Sequence, residues 1–314
     1  MTKQKKLDVV LIGELFIDEI LSGFQALPKL GEEAFARKYQ REIGGGAAIT
    51  ACGLAKLGMR VAVLGVVGRD DGQWVLERLN SFGVDTTGVE TQAEPTGLTV
   101  SVSTREDRAF FSYYGANRWL PQKLRKPETL ATMASAQLIH FACAPDTELD
   151  LGLLTSLRRR KCRITIDVQS HMSWLTEPDS FAVLRQCDVF FPNEREGEWI
   201  SGESGVTRIL RALRDKGLRG VGLKLGGKGA ALLWRRREIL RDVFPCDAID
   251  TTGAGDCFNA GFIYAWLRGQ KPERCLEIAN ICGALSTRSL GGIASFPGVQ
   301  ELEQIEQERM VEEA

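Results

Sequence analysis

The sequence has few histidines, scattered cysteines and no long apolar run. Its 314 residues include only two histidines, His140 and His171, and none of its eight cysteines forms a CxxC pair, so a Cys/His zinc site is not expected. No stretch approaches the roughly 18 uninterrupted apolar residues of a transmembrane helix. Asp8, Glu14 and Asp18 interrupt the first apolar stretch too early for a signal peptide. Since scattered cysteines are typical of reduced thiols, these features predict a soluble, cytoplasmic protein.

An excess of charge of either sign is also missing. Lys and Arg number 40 and Asp and Glu number 41, which gives a formal net charge of −1. This balance gives no reason to expect nucleic acid or a membrane as a partner. Two local basic runs, at 158–161 and 235–237, are interpreted as a solvated helix end and a solvated turn. Hydrophobic residues make up 44% of the chain and charged residues 26%, which is the range of ordinary globular proteins.

Short apolar segments alternate with segments of helical spacing along most of the chain, and this alternation favours an α/β fold with a parallel sheet covered on both faces. Strands are predicted at 8–13, 61–68, 137–142, 163–168, 189–192, 220–226 and 230–234. Helices are predicted within 44–60 and near 73–83, 149–160, 194–201, 205–216, 255–268, 272–287 and 299–312. Two half-polar segments, 34–43 and the hairpin 97–114 with a polar turn at 105–107, suit a separate small sheet. No linker rich in proline, glycine or serine divides the chain, so a single domain over 1–314 is expected.

The segment Asp250-Thr-Thr-Gly-Ala-Gly-Asp256 carries the clearest chemical signal. Gly253, Ala254 and Gly255 are small enough for backbone N–H groups to converge at the start of a helix, where the macrodipole favours an anion. Asp256 lies beside this anion site and could take a proton from a substrate hydroxyl. The alternative is a glycine-rich turn in which Asp256 is an ordinary acidic residue of a first helical turn.

This segment resembles the second signature of the ribokinase-like (PfkB) carbohydrate kinases, and the resemblance extends from Val9 to about Pro297. It implies a doubly wound, mostly parallel sheet with helices on both faces and a small β-sheet lid, with lid strands from about 14–43 and 96–118. It also implies transfer of the γ-phosphoryl group of ATP to a hydroxyl of a small sugar or sugar acid. In that reaction Asp256 would be the catalytic base, and Gly253, Ala254 and Gly255 would form the anion hole.

The same resemblance implies a sugar site near the amino terminus. Gly45 and Gly46, in the glycine-rich segment that begins at Gly44, would line this site, and Asp18 would bind sugar hydroxyls. From sequence alone, Asp18 could equally be a surface acid. Ile49 stands where many relatives have a sugar-binding asparagine, which leaves the substrate open. Asp167, at the end of a predicted strand, could compensate or could cap a helix.

For the nucleotide, the resemblance implies two groups of residues. Asn193 and Glu196 match an Asn-x-x-Glu motif in which Asn faces the phosphates and Glu helps to position Mg²⁺; the alternative for Asn193 is a helix cap. Lys224, Gly226, Gly227 and Gly229 would lie near ATP, and Asn280 would lie beside the adenine, unless it is merely an exposed polar residue of its helix. The run 222–229 imitates a P-loop, but glycine replaces its hydroxyl residue and a strand follows, so a P-loop is not expected.

Three further expectations concern a cation, a partner and the substrate. Many relatives bind a monovalent cation such as K⁺, for which Asp250, Thr252 and Ser295 would be the matching residues. The lid serves many relatives as a dimer interface, so a homodimer is one expectation. A nucleoside kinase is the alternative activity, since aromatic residues at 110–114 could stack on a base or simply pack in the lid. A non-catalytic nucleotide or sugar sensor is the remote alternative.

Overall fold

The computed structural model describes residues 6–104, 108–145, 147–169 and 171–312, and the polar turn predicted at 105–107 lies outside them. The strands in these ranges are β1 (Leu7–Gly13), β2 (Phe16–Ser22), β3 (Lys38–Gly44), β4 (Val61–Leu64), β5 (Val66–Gly68), β6 (Glu90–Gln92), β7 (Gly97–Ser103), β8 (Arg108–Tyr113), β9 (Ala136–Ala142), β10 (Arg163–Ile166), β11 (Val189–Phe190), β12 (Gly220–Lys224), β13 (Ala230–Trp234) and β14 (Arg237–Arg241).

Helices follow most of these strands, as the predicted alternation requires. They are α1 (Gly46–Lys56), α2 (Gly72–Ser81), α3 (Leu120–Leu124), α4 (Pro127–Ala134), α5 (Thr147–Arg159), α6 (Met172–Leu175), α7 (Ser180–Leu184), α8 (Glu194–Ser201), α9 (Val206–Asp215), α10 (Ala254–Leu267), α11 (Pro272–Ser286) and α12 (Val299–Glu312). Short 3-10 turns cover Gly115–Trp119 and Gly226–Lys228. In the described part of the chain, no helix is long and apolar enough to cross a membrane.

An eight-stranded sheet forms the centre of the molecule, in the order β14-β13-β12-β11-β10-β9-β1-β4. The strands from β12 to β4 are parallel, and β13 and β14 add an antiparallel hairpin at one edge. Alternate residues of β1 point to opposite faces: Val9 and Leu11 join one core cluster, and Val10 and Ile12 join the other. Helices α1, α10 and α11 pack in the first cluster, and α5, α7 and α9 in the second. The doubly wound fold with helices on both faces is therefore confirmed.

A separate four-stranded sheet has the order β3-β2-β7-β8, and its strands fall in residues 16–44 and 97–113. Its strand register aligns Glu42, Asp18, Thr99 and Ser112 in one row across the sheet. Because directly paired residues share a face, these side chains point to the same side. The expected separate small sheet is confirmed, and it carries Asp18 on one face.

The structure differs from the sequence prediction where segments are short or exposed. The predicted strand over 61–68 is two strands, because β4 joins the main sheet and β5 leaves it to pair with β6. Gly65 lies between them, and a Cβ there would approach the Leu15 side chain to 2.6 Å. The strand predicted from residue 34 begins only at Lys38, and the short helices α3, α4, α6 and α7 were not predicted. Strand β14 was also missed because its pattern is mostly exposed and arginine-rich.

Candidate active site

The glycine-rich start of α10 forms the centre of the site. Gly253 is its N-cap residue with φ 71°, and a Cβ at this position would lie 2.8 Å from the Gly292 Cα, so glycine is required on two grounds. At Gly255, a Cβ would lie 3.3 Å from Lys224 Nζ. The positive end of the helix dipole and the Lys224 ammonium thus lie together, which makes this point favourable for an anion.

A buried ion pair lies beneath the helix start. Lys224 Nζ donates to Asp167 Oδ2 at 2.5 Å, and Asn259 Nδ2 donates to the same oxygen at 2.7 Å. Asp167 follows β10 and Lys224 ends β12, so the carboxyl ends of parallel strands bring the two residues together. Burial opposes charge on both groups, yet their attraction lowers the pKa of Asp167 and raises that of Lys224. The structure shows a further role for Asp167, because its carboxylate pairs with Lys224. A role of Asp167 in substrate binding stays a prediction.

Asp256 is buried at the start of α10, with 8% of its surface exposed. Burial raises the pKa of its carboxyl to about 7, and the negative charge of Asp167 adds to this effect, while Lys224 and a hydrogen bond from Gln169 oppose it. Gln169 Nε2 donates that bond to Asp256 Oδ1 at 2.8 Å. A carboxyl group with this pKa can accept a proton near neutral pH, which is the requirement for a general base.

The predicted sugar-site residues lie together around Asp18. A Cβ on Gly44 would fall onto the Asp18 carboxylate, and one on Gly46 would meet the Gln169 amide at 2.4–2.6 Å. Gly45, with φ 90°, caps α1. Burial, together with nearby carboxylates that include Glu42 and Asp256, raises the pKa of Asp18 to about 7. The glycines thus let Asp18 and Gln169 approach the backbone at the start of α1.

Two further residues, Glu14 and Ile49, lie on the side of the predicted sugar site. The sequence did not indicate Glu14 as a site residue, and it marked Ile49 only as a position where many relatives have asparagine. Glu14 is buried, and its Oε1 accepts a hydrogen bond from the Tyr114 hydroxyl at 2.8 Å and lies 3.4 Å from His171 Nε2. The hydrogen bond to Glu14 raises the pKa of His171. Ile49 is buried, and its side chain lies against Gly253 and Gly292, so it packs on the loop before α10.

A cavity of about 410 Å³ lies on the other side of the α10 start. The predicted nucleotide residues Lys224, Gly226, Gly227, Gly229 and Asn280 all line it, together with Ala254 and Gly255. Apolar residues form much of the remaining wall: Val243, Phe244, Pro245, Phe258 and Ala284. This lining fits ATP, because apolar walls suit a base and glycine backbone with a lysine suits phosphates. The absence of a P-loop is confirmed, since β13 follows the turn at Gly226–Lys228.

Asn280 and Gly229 shape the rim of this cavity. Asn280 Nδ2 donates to the Asp242 carbonyl at 3.0 Å, so the side chain fixes the segment after β14 instead of being free in solvent. Gly229 has φ 94°, and a Cβ there would lie 2.2 Å from the Arg241 carbonyl oxygen. Asn280 therefore fixes the segment after β14 beside the cavity, and glycine at position 229 allows the end of β14 to approach closely.

Asn193 and Glu196 form a reciprocal capping box at the start of α8. Glu196 N–H donates to Asn193 Oδ1 at 2.8 Å, and Asn193 N–H donates to Glu196 Oε2 at 2.9 Å. Glu196 is buried, and its charge acts on both Lys224 and Asp256. No cluster of three or more His, Cys, Asp or Glu residues that could hold a metal occurs among the described residues. One buried carboxylate fits Mg²⁺ only where phosphate oxygens and water supply the other ligands, which is its usual mode.

The residues predicted for a monovalent cation are arranged around the Asp250 carboxylate. Its Oδ1 accepts hydrogen bonds from Arg108 Nη1 at 3.1 Å and from the Thr252 hydroxyl at 2.7 Å, and its Oδ2 accepts from Gly291 N–H at 2.9 Å. Ser295 lies on the same loop as Gly291, and its carbonyl faces Arg288. Because a guanidinium already neutralises Asp250, this donor set does not fit a cation bound directly to that carboxylate. The cation site stays a prediction.

Comparison with known proteins places this geometry in a family. Residues 6–298 match the family described as pfkB family carbohydrate kinase. A ribokinase from Haemophilus influenzae is 27% identical over 306 residues, which cover 93% of this chain and 96% of that protein. A nucleoside kinase from Methanothermobacter thermautotrophicus is 26% identical over 299 residues, which cover 94% of each protein. The structure of Arabidopsis thaliana ribokinase complexed with ribose and ATP has a TM-score of 0.84 at 26% identity, covering 95% of this chain and 98% of that chain.

The fold and these matches define a ribokinase-like α/β kinase. The chain belongs to the pfkB family of carbohydrate kinases, and it is an ATP-dependent kinase of that family.

Sequence reasoning missed Gln169, Asn259 and Arg108. Asn259 had a usable signal: it lies three residues after Asp256 in an otherwise apolar helix, so both polar groups share a face. Gln169 gave none, because it lies in a loop and its partner Asp256 is 87 residues away. Arg108 gave none either, since its partner Asp250 is 142 residues away.

Proposed function

We propose that this kinase phosphorylates a hydroxyl group of a small neutral sugar, with Asp256 as the catalytic base. The observation that carries the proposal is the position of Asp256. It is a buried carboxyl with a pKa of about 7, and it stands at the start of α10, whose first residues line the 410 Å³ cavity. The charge of Asp256 also acts on Asp18, and this supports a role of Asp18 in binding the substrate beside the base.

In the proposed reaction, Asp256 removes the proton from the substrate hydroxyl as the oxygen forms a bond to the γ-phosphorus. The bond between that phosphorus and the bridging oxygen to the β-phosphate breaks, and ADP leaves. The backbone N–H groups of Gly253, Ala254 and Gly255 would stabilise charge on the transferring group, as would the Lys224 ammonium. Bound ATP supplies the phosphoryl group, and Mg²⁺ near Glu196 and Asn193 would neutralise phosphate charge. The residues Gly226, Gly227, Gly229 and Asn280 would hold the nucleotide.

The small sheet is the proposed lid and the proposed source of sugar contacts. Asp18, Thr99 and Ser112 share one row and one face, so a carboxylate and two hydroxyls can bond to sugar hydroxyls. Gly45 and Gly46 let the α1 backbone approach the same substrate. Carboxylates dominate the charge around Asp18, and Lys224 is already paired with Asp167. This balance favours a neutral sugar over a sugar acid.

A nucleoside is the second candidate, and Phe110 favours it. Strand register puts Phe110 on the Asp18 face of the small sheet, where it is 50% exposed. The Arg108 guanidinium lies 5.6 Å from its ring centroid, and the exposed part of the ring can stack on a base. Phe111 lies on the opposite face and is 62% exposed. Comparing Phe110→Ala with Phe111→Ala therefore separates a base-stacking role from a general packing role.

The first test is ADP release from ATP and Mg²⁺ with pentoses, hexoses, ketoses, sugar acids and nucleosides, in Na⁺ and in K⁺. We expect one neutral sugar to give a kcat/KM well above the others, and Asp256→Asn to lower kcat by about 10²–10⁴-fold. Preference for a nucleoside, lost in Phe110→Ala and kept in Phe111→Ala, would select the second candidate. If the protein binds ATP but phosphorylates none of these compounds, the result would contradict the kinase proposal and favour a non-catalytic nucleotide or sugar sensor.

We also propose that the face of the small sheet opposite Asp18 meets a second copy of the chain. Tyr39, Phe111 and Tyr113 share this face and are 63%, 62% and 45% exposed. Exposed aromatic residues on a sheet with two edge strands are typical of an interface. Analytical ultracentrifugation should show a dimer that Phe111→Glu dissociates; a wild-type monomer at micromolar concentration would contradict this proposal.

A further inference from the structure

A second large cavity, of about 1030 Å³, lies outside the site described above. Arg163 and Arg219 line it at the amino ends of β10 and β12, and Arg235 and Arg236 line it at the turn between β13 and β14. The two basic runs noted in the sequence thus both reach this end of the sheet, where the amino ends of β10 and β12 lie. The run 235–237 contributes directly, and Arg158 of the other run pairs with Asp188 of the cavity wall at 3.5 Å.

The charges that line this cavity are unbalanced. Five of its lining residues are arginines and two are aspartates. Both aspartates already have partners, since Asp188 binds Arg158 and Asp215 binds Arg214 at 2.9 Å. In contrast, the guanidinium groups of Arg219, Arg235 and Arg236 have no ion pair or hydrogen bond with another residue that the structure describes. Unpaired guanidinium groups around one concave surface favour a polyvalent anion.

The aromatic part of the wall suits the organic part of such an anion. Trp234 and Trp266 pack edge to face with ring centroids 5.5 Å apart, and both line the cavity. The Arg163 guanidinium lies over the Trp266 ring at 4.8 Å, which holds that charge in place. The cavity can therefore bind a ligand whose phosphate group contacts the arginines and whose apolar or ring portion contacts the indole side chains.

The backbone of Arg235 indicates that its side chain is needed. Arg235 has φ 60° in the two-residue turn that joins β13 to β14, a conformation that favours glycine or asparagine. An arginine at this position costs stability. Strain of this kind in a turn is typical of residues kept for a functional side chain.

The cavity is separate from the active site, although the same elements reach both. Strand β10 runs from Arg163 to the residue before Asp167, and β12 runs from the residue after Arg219 to Lys224. With a rise of roughly 3.3 Å per residue, Arg163 lies about 13 Å from Asp167, and Arg219 lies about 17 Å from Lys224. Helix α10 likewise carries Asp256 in its first turn and Trp266 in its last.

We propose that this cavity is a second binding site, which takes a small molecule that carries a phosphate group. Recognition comes from Arg219, Arg235 and Arg236 on the phosphate and from Trp234 on the remainder of the ligand. The proposal does not depend on which sugar the kinase phosphorylates, because none of these residues belongs to the active site.

The test is titration calorimetry of the full-length protein with ADP, ribose 5-phosphate and inorganic phosphate, with adenosine and ribose as phosphate-free probes. The triple variant Arg219→Gln, Arg235→Gln, Arg236→Gln removes the unpaired charges. A matched variant, Lys6→Gln, Lys29→Gln, Arg69→Gln, removes three exposed charges outside the cavity lining. We expect one phosphate-bearing probe to bind at least tenfold more weakly to the triple variant and unchanged to the matched one. The identity of that probe distinguishes a nucleotide, a sugar phosphate and free phosphate.

A second variant guards against misfolding of the triple variant. Arg235→Gly suits the left-handed turn, so it should keep or raise the thermal midpoint while weakening the same binding event about threefold or more. Binding of every probe that is equal in wild type, triple variant and Arg235→Gly would overturn the proposal. So would an affected event that adenosine or ribose produces as strongly as the phosphate-bearing probes.

Discussion

At the scale of single residues, the protonation of Asp256 depends on one amide. Burial raises the pKa of the Asp256 carboxyl, and the hydrogen bond from Gln169 opposes this effect, so that the pKa is about 7 with the bond in place. Without this bond, the pKa of Asp256 rises and less of the carboxyl is ionised at pH 7. We predict that Gln169→Ala shifts the acidic limb of the kcat/KM profile to higher pH and lowers the rate at pH 7 by about threefold or more.

The pH profile of kcat/KM from pH 5 to 9 checks this prediction. Gln137→Ala is the control, because its amide bonds to the exposed Asp8–Arg60 pair, far along the chain from the site. An equal loss of rate at every pH in Gln169→Ala would mean that the residue positions substrate and does not tune the base.

Single residues also show what the sequence could predict. The glycine-rich start of α10, with Asp256 in its first turn, follows from local spacing, since neighbours in the chain make that geometry. The proposed catalytic roles of these residues stay predictions. Asp167 left two roles open, and its actual partner is Lys224, 57 residues away. Pairings between distant residues of this kind need the sheet order, and no local pattern gives it.

At the scale of elements, Arg108 links the small sheet to the loop before α10, where the proposed anion hole begins. It begins β8, and its guanidinium bonds to Asp250, which also orders Thr252 and Gly291 through hydrogen bonds. We predict that Arg108→Ala lowers kcat about tenfold by misplacing Gly253 and its neighbours.

We also predict that wild-type rates are equal in NaCl and KCl, because a guanidinium already supplies the positive charge beside Asp250.

Steady-state kinetics in the two salts checks both parts of this prediction. Arg41→Ala is the matched control: it removes another arginine of the small sheet, one that pairs with Glu19 and not with the α10 loop. Strong activation of the wild type by K⁺ would contradict the second part and restore the monovalent-cation site expected at Asp250, Thr252 and Ser295.

Element prediction succeeded where apolar runs were long and buried. Strands β1, β9 and β13 lie within one residue of their predicted bounds, and α8 matches its prediction at both ends. The failures share a physical cause: β14, β6 and the short helices α3, α6 and α7 are too short or too exposed to show a period. Tertiary packing decides their conformation.

At the scale of the whole molecule, the carboxyl groups of the candidate site lower the free energy of unfolding at neutral and alkaline pH. Asp256 is a buried carboxyl and Asp18 a half-buried one, and the pKa of each is raised to about 7. An unfolded chain ionises them near pH 4, so the folded state binds their protons more tightly between about pH 4 and 7. Stability from these groups is therefore present at low pH and lost as the pH rises through about 7.

Both core clusters share β1 and the other strands of one sheet, so we propose that the chain is a single domain and unfolds in one transition.

We predict that Asp18→Asn stabilises the protein at pH 8 by about 2–4 kcal/mol and has little effect at pH 4, while sugar affinity falls. Urea unfolding at the two pH values, with the exposed Asp70→Asn as control, measures this difference. Equal stability of Asp18→Asn and wild type at pH 8 would mean that Asp18 has an ordinary pKa in the folded protein.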